Sequence, residues 1–576
     1  MTPVLGAPFA LPVFVLALVA AVPIGARWIR VAQREHYVPG WVTRMAWLWL
    51  LREPGTAPTA VVALGGIIVA TIAPISAFAA LPMFSIVLLS LLPFGLPIRG
   101  TSAPLALTAR VKRLLVVWVV LHLAVGILSL YLLGTAGPAL VLLLSAPLTD
   151  VALAIMAPIE KASSKKFVVA AQKRLGQVRP RVVAITGSYG KTSTKNYVAH
   201  LLSASFTTVA SPASFNNRLG LSRAVNDKLV PGTEVFVAEM GIFGPGEIRE
   251  LSTYFPPDIA AITVIGESHL QRMRSTDVIF AAKAEITERA GIVVLPIDDP
   301  RLAALAADCQ MKEKTVFTTT CTPGTVADVV LVPSFGQGSG ADAALWSITI
   351  GRGAEPVPVS ISGTGHAVNV AVAAGIALAA GVPVATIAAR LGDLPGSQHR
   401  AEVQQSPTGA LVIDDTYNSN PVGSMRALQG AAALAAERGG PLVVVTPGMV
   451  ELGPVQAERN RAFGAAIGAA GGLLLAVART NRAALLAGYA SAATGAATGA
   501  AGATGAAGAA GTASTAGEVS STASAVTPAS TPTTAMTEAP GAVAFATREQ
   551  AVRQAVAAAG ERGVILYEND LPDHYP

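Results

Sequence analysis

The chain has 576 residues, of which 52% are hydrophobic and 13% charged, and its mean hydropathy is +0.54. Those figures exclude both a single ordinary soluble domain and a largely disordered protein. The formal charge is +6, but nine of the basic and only four of the acidic residues fall in the first 160 positions, between apolar runs. There they set membrane orientation, so nucleic acid is not expected as a partner.

Apolar stretches at about 8–26, 58–80, 82–98, 113–134 and 137–158 predict a transmembrane region over residues 1–160 with about five helices. The stretch at 82–98 is short and carries Pro93 and Pro97, so four spans with a hairpin or re-entrant segment is the second reading. No positive residue precedes the first run and no small-residue cleavage pattern follows it, so it is expected to stay in the mature chain. Arg27, Arg30, Arg34, Arg44 and Arg52, then Arg99, Arg110, Lys112 and Arg113, then Lys161, Lys165 and Lys166 mark the inner side. This predicts a protein integral to the cytoplasmic (inner) membrane, with its catalytic domains in the cytoplasm. Trp41, Trp47 and Trp49 read either as an amphipathic segment in the headgroup region or as a helix packed on the spans.

Residues 161–180 read as a juxtamembrane linker. From Arg181 short β-rich runs alternate with helical patterns: VVAIT, EVFVAEM, IAAITVIG and IVVLP, then LVIDD, PLVVVTPG and GLLLAVA. The expected fold class is therefore an α-helical transmembrane bundle followed by α/β. A central P-loop-type parallel-sheet domain is placed over 181–398, and a smaller Rossmann-like domain over 399–576. At about 490–540 the chain is almost wholly Ala, Gly, Thr and Ser, which reads as a disordered insertion in the last domain. Cys309 and Cys321 have neither the number nor the spacing for a disulfide framework or a structural metal site.

Thr186-Gly187-Ser188-Tyr189-Gly190-Lys191-Thr192-Ser193 lies between a strand and a helix with apolar residues at Val198, Leu201 and Leu202. Glycines let the backbone approach a phosphate, N–H groups at the helix start face its oxygens, Lys191 neutralises charge, and Thr192 can hold Mg²⁺. Glu239 ends the strand VFVAE and His269 follows the strand ending at Gly266, so both fall at the carboxyl edge where open α/β sheets collect ligands. Mg²⁺ favours Glu239; a histidine there is either a ligand or a structural hydrogen-bonding group.

The short TGxxGKT form of the phosphate loop resembles that of the Mur ligases, the ATP-dependent amide-forming enzymes of peptidoglycan precursor synthesis, and of folylpolyglutamate synthetases. Phe215-Asn216-Asn217-Arg218-Leu219-Gly220, Asp414-Asp415-Thr416-Tyr417-Asn418-Ser419-Asn420-Pro421 and Gly448-Met449-Val450-Glu451-Leu452-Gly453 are similar to blocks of the MurF type, although Val450 and Pro447 depart from its pattern. The resemblance covers about residues 180–576. It implies that ATP phosphorylates a carboxylate and that an amine then displaces phosphate to form an amide. It also implies His269 near a second Mg²⁺, Lys283 in AKAEI as a carbamylated ligand, Arg400 on ATP phosphate and Asp415 at the ribose. The resemblance also implies Asn369 near adenine, although Ala367 replaces the first Asn of the family's stretch after His366 and Asn369 comes one residue early. Asn217, Tyr417 and Asn420 are the candidates for substrate contact, with turn capping the equal alternative for Asn217. A hinge around 395–400 would close the last domain over the reactants.

The apolar helices occupy the place where soluble MurF-type enzymes hold a UDP-sugar. The acyl substrate is therefore expected to be a lipid-linked or UDP-linked muramoyl peptide, and the amine an amino acid or dipeptide, with membrane lipids as partners. Three other readings remain: an ATP-driven transporter or membrane switch, for which only His122 and Asp150 offer mid-span ionisable groups, a polyglutamate- or capsule-type ligase, and a catalytically silent membrane scaffold.

Overall fold

The computed structural model describes residues 9–72, 80–99, 104–212, 215–334, 344–361, 367–395, 402–416, 419–502, 541–570 and 574–576. They fall into two units, Met1–Glu402 with Val450–Pro454 and Asp570–Pro576, and Val403–Met449 with Val455–Asn569.

The first unit opens with seven helices: α1 (Ala10–Arg34), α2 (Trp41–Arg52), α3 (Thr56–Ile72), α4 (Leu81–Leu91), α5 (Ala109–Leu133), α6 (Ala136–Leu143) and α7 (Ser145–Val178). Among the described residues, only α1 and α5, each of 25 residues, are by themselves long and apolar enough to cross a membrane. The pairs α2 with α3 and α6 with α7 pass the same test together, but are bent by 107° and 68°. Among the described residues, where about five spans were expected, two helices thus meet this test of length and composition, or up to four if each bent pair is one span. The stretch at 82–98 yields only the 11 residues of α4, roughly 16 Å at the helical rise and too short for a hydrocarbon core. Residues 161–178, expected as a linker, are the second half of α7, which runs unbroken to Val178.

Trp28, Trp118, Leu114, Leu142 and Ala146 share one apolar core in this bundle. Gly25 is required there, because a Cβ would stand 2.7 Å from the Trp118 indole. The two ionisable groups noted in the apolar runs are both engaged. Asp150 caps α2, accepting hydrogen bonds from Thr43 N at 2.8 Å and Val42 N at 3.2 Å. His122 lies 3.1 Å from Ser145 Oγ and stacks on Trp118. The tryptophan segment is a packed helix, with Trp49 4% and Trp47 59% exposed.

The same unit continues with β1 (Arg181–Thr186), α8 (Lys191–Leu202), β2 (Thr208–Ala210), α9 (Arg218–Lys228), β3 (Val235–Glu239), α10 (Glu247–Tyr254), β4 (Ile259–Ile262), α11 (Leu270–Met273), α12 (Thr276–Ala284), β5 (Ile292–Pro296), α13 (Pro300–Met311), β6 (Thr315–Thr320), β7 (Val329–Pro333), β8 (Ala344–Ile350), β9 (Val357–Ile361), α14 (Ala367–Ala380) and α15 (Val384–Arg390). The nine strands form one sheet in the order β2-β3-β1-β4-β5-β6-β7-β8-β9. It is parallel as far as β7, and β8 and β9 then add antiparallel. Its central strands are buried on both faces, as their unbroken apolar runs require. Val198 and Leu201 of α8 and Val370 and Ile376 of α14 pack with Val183, Ile185 and Val294 in one core. β1 lies between β3 and β4, so the loop after it opens at the carboxyl edge beside the ends of both neighbours.

The second unit contains β10 (Glu402–Gln405), β11 (Leu411–Asp415), α16 (Pro421–Arg438), β12 (Leu442–Thr446), α17 (Gln456–Ala469), β13 (Leu473–Val477), α18 (Arg482–Gly502), β14 (Ala542–Phe545), α19 (Arg548–Ala559) and β15 (Val564–Glu568). Its sheet order is β10-β11-β15-β12-β13-β14. The first part of the Ala/Gly/Thr-rich segment, to Gly502, is the end of α18; residues 503–540 lie outside the described residues. The chain then rejoins the sheet as β14, parallel to β13.

Candidate active site

β1 delivers the chain into a glycine loop that α8 leaves. Gly190 takes φ +78 as the residue before α8 and Gly187 takes φ +153; both conformations suit glycine. A Cβ at Gly190 would run into the Asn369 amide, whose Cγ would be 2.6 Å away. The loop is braced from outside. Thr186 Oγ1 donates to Met240 O at 2.8 Å, Ser188 Oγ donates to Gly266 O at 3.0 Å, and Gly266 N donates to Ser188 Oγ at 2.9 Å. These two hydroxyls, in the loop expected to hold the nucleotide, fasten it to the ends of the neighbouring strands. Ser193 is buried in the first turn of α8.

Two lysine side-chain nitrogens meet at one carbonyl oxygen. Lys191 Nζ donates to Gly187 O at 2.8 Å and Lys283 Nζ, from α12, donates to the same oxygen at 2.9 Å. Lys283 is 2% exposed. Burial, and secondarily the charge of Lys191, push its pKa well below that of an ordinary lysine.

Across the loop, Glu239 ends β3 with its carboxylate buried. Oε2 accepts from Thr192 Oγ1 at 3.0 Å and from Lys195 Nζ at 3.3 Å, and Oε1 accepts from Asn216 Nδ2 at 3.1 Å. Thr192 and Glu239 are therefore brought together as expected. Lys195 and Asn216 were not among the expected residues. Lys195 lies one helical turn after Lys191, a spacing that could have placed it on the same face. In the asparagine pair the first residue reaches the site, while Asn217 caps α9 by accepting from Gly220 N at 2.9 Å.

His269 makes its hydrogen bond to another segment, Glu451. It sits at φ +57, its Nδ1 lies 2.6 Å from Glu451 Oε2, and its ring meets Phe243 edge-on. Burial alone would raise the Glu451 carboxyl, but the His269 hydrogen bond and the charge of Arg272 carry it below its ordinary value. Among the described residues no group of three or more His, Cys, Asp or Glu side chains could hold a metal ion. Of the residues expected at the metals, Thr192 and Glu239 are hydrogen-bonded to each other, Lys283 rests on Gly187 O and His269 on Glu451.

That pair nonetheless fits Mg²⁺, because a hydroxyl and a carboxylate oxygen converge beside a phosphate-type loop and a lysine ammonium already supplies a cation there. The nucleotide also finds a fit. Asn369 is buried against Gly190, and its Oδ1 has no hydrogen-bond partner among the described residues.

In the second unit, Asp415 ends β11 and its carbonyl accepts from Asn569 N at 3.2 Å. Asn420 caps α16, accepting from Gly423 N at 2.9 Å. Arg400, Tyr417 and His366 lie outside the described residues. Glu568, at the end of β15, is a buried carboxyl that the sequence did not single out. It accepts from Ser419, Ser424 and Thr446 hydroxyls, and burial raises its pKa.

Residues 185–377 match the family model described as the Mur ligase middle domain. The UDP-N-acetylmuramoyl-tripeptide–D-alanyl-D-alanine ligase of Mycobacterium leprae is 33% identical over 278 residues, 44% of this chain and 50% of its own. The enzyme of that name from Bacillus subtilis is 30% identical over 300 residues, 52% of this chain and 62% of its own. The chain thus spans between half and two thirds of the length of these relatives. Two solved structures share the fold. MurF from Acinetobacter baumannii has a TM-score of 0.52 at 23% identity, covering 70% of this chain and 76% of its own. MurF ligase from Thermotoga maritima in complex with ADP has a TM-score of 0.51 at 20% identity, covering 71% and 80%. The chain carries a Mur ligase middle domain and has homologues among the MurF ligases.

Proposed function

We propose that this chain is an ATP-dependent, ADP-forming ligase of the Mur type. It joins a carboxylate to the amine of an amino acid or dipeptide in peptidoglycan or cell-envelope precursor synthesis. Its apolar helices fasten it to the cytoplasmic membrane, with the catalytic parts on the cytoplasmic side. The observation that carries this reading is the pairing, around one glycine loop, of Lys191 and Lys283 on Gly187 O with Thr192 and Lys195 on Glu239.

A carboxylate oxygen attacks the terminal phosphorus of ATP, ADP leaves, and an acyl phosphate results. The amine then attacks the acyl carbon, phosphate leaves, and the nitrogen loses a proton. Lys191, released from Gly187 O, would meet the phosphate oxygens, and the N–H groups of the first turn of α8 would orient them. Thr192 and Glu239 would hold Mg²⁺, which when bound supplies charge neutralisation between the phosphates. Asn369 presents a free amide oxygen beside Gly190 for a donor on the nucleotide. Lys283 is disposed toward carbamylation: CO₂ adds only to a neutral amine, with loss of one proton, and burial favours the neutral form. The product would be an anion beside the Lys191 ammonium. The acyl substrate is a UDP-muramoyl peptide or its lipid-linked counterpart presented at the bilayer. Arg400 and Asp415 remain the expected phosphate and ribose contacts.

The full chain in detergent, given ATP, Mg²⁺, UDP-muramoyl tripeptide and D-Ala-D-Ala, should release ADP and phosphate only when both acceptors are present, with a new amide seen by mass spectrometry. ATP turnover indifferent to the acceptors, without a peptide-like bond, would refute the proposal. A parallel reaction with lipid-linked acceptor in nanodiscs separates membrane presentation from mere tethering.

A further inference from the structure

The turn that leaves α1 is built into the surroundings of His269. Glu35, 3% exposed, accepts from Arg272 Nη2 at 2.7 Å, and His574 Nε2 lies 2.9 Å from its other oxygen. Arg272 in turn lies 3.7 Å from Glu451, which holds His269 at 2.6 Å. The Arg272 guanidinium stacks on Trp41 of α2 at 4.0 Å and faces Phe243 at 5.2 Å. A second path runs through rings: His36 packs on Phe243 at 4.7 Å, and Phe243 meets His269 at 5.7 Å. His36, His269, Arg274 and Glu451 all hold positive φ without being glycine. Such strain persists only where the surroundings over-determine it, and it clusters at functional sites.

A tether needs none of this. An anchor joined to a catalytic domain requires a flexible or helical connection, not two ions at 4% and 5% side-chain exposure paired across 237 residues. Removing one member of a buried pair leaves the other charge uncompensated, so the arrangement is rigid by necessity.

We propose that the turn after the first apolar helix is a working part of the ligase centre, with Glu35 a positioning residue that fixes His269 through Arg272 and Glu451. This rests on the ligase reading, in which the segment carrying His269 starts at Gly266, the residue that Ser188 ties to the glycine loop, and adds to it: the helical region orders the chemistry as well as locating it. Glu35 does not touch the phosphate loop in this network, so its loss should leave ATP binding alone and lower turnover.

The test compares full-length Glu35→Gln and Glu35→Asp with the unaltered chain in detergent micelles, using soluble acceptors so that membrane presentation plays no part. Lys312→Gln, which breaks an exposed i,i+4 pair, is the control. Glu35→Gln should lower kcat by about tenfold or more with KM for ATP changed by less than about twofold, since small misplacements cost catalysis steeply. Glu35→Asp, keeping the charge, should recover most of that loss. Hydrogen exchange should rise in Glu35→Gln over residues 268–274 and 450–454 and stay unchanged in α8. Full activity in Glu35→Gln with unchanged exchange would overturn the positioning role, as would an equal loss in both variants with α8 deprotected. A parent chain that forms no amide would refute the ligase reading itself, a result separate from either.

Discussion

Lys195→Met tests the charge balance on which the candidate site is built. Lys195 Nζ and Glu239 Oε2 are 3.3 Å apart, with side chains 2% and 3% exposed. At an effective dielectric of about 20 the pair attracts by about 5 kcal/mol. Breaking a buried pair by removing one partner typically costs about 3–5 kcal/mol, because the remaining charge is stranded. Glu239 would keep only Thr192 Oγ1 and Asn216 Nδ2 as donors. For a domain of some two hundred residues that loss lowers Tm by on the order of 10 °C. The assay is thermal unfolding of the full chain in detergent, followed by reaction of a thiol reagent with Cys309, which is buried in α13, in a Cys321→Ser background. If Glu239 is also the site for a divalent cation, saturating Mg²⁺ should recover more stability in Lys195→Met than it adds to the parent, because the ion replaces the missing ammonium. A loss under about 1 kcal/mol would refute the electrostatic argument. A full loss that Mg²⁺ does not relieve would refute the assignment of Glu239 to a metal.

Gly190→Ala forces a Cβ toward the Asn369 amide at φ +78, a left-handed penalty of about 1–2 kcal/mol before the clash; ADP affinity measured by calorimetry should fall at least tenfold, and an unchanged affinity would show that the loop is not the nucleotide cradle. Asn217→Ala should destabilise by about 1 kcal/mol in thermal unfolding, whereas Asn217→Ser, which still caps, should not; loss of activity in the serine variant at full stability would instead assign Asn217 to substrate. Lys283→Met should abolish turnover while raising Tm at neutral pH. The sign follows from linkage: with its folded pKa lowered, Lys283 sheds a proton that the unfolded chain retains, so stability rises with pH up to the ordinary lysine value. Methionine should remove that alkaline rise, and an unaltered stability-pH curve would show that Lys283 is not buried as a neutral amine.

The sequence by itself determined those features whose physics is local. A strand, a glycine loop and GKT at a helix start announced the turn that β1, Gly187–Gly190 and α8 form, and Glu239 at a strand's carboxyl end had to face the same edge. Unbroken apolar runs in β3 and β4 likewise announced a sheet covered on both faces. Even Asn217 was legible as a cap, since a cap needs only the three residues that follow it.

What depended on contacts between distant segments was not legible. Hydropathy gave a sum of apolar length, but only the folded bundle decided that 82–98 keeps 11 helical residues and that two other stretches bend, so that among the described residues two helices are long and apolar enough to cross a membrane, or up to four if each bent pair counts as one. Nothing near Lys195 or Asn216 in sequence reveals that both end on Glu239, because that meeting is made by the pairing of β1 with β3. His269 and Glu451 are 182 positions apart, and Glu35 and Arg272 are 237 apart. A buried charge must find its opposite, yet which opposite it finds is settled by tertiary packing alone.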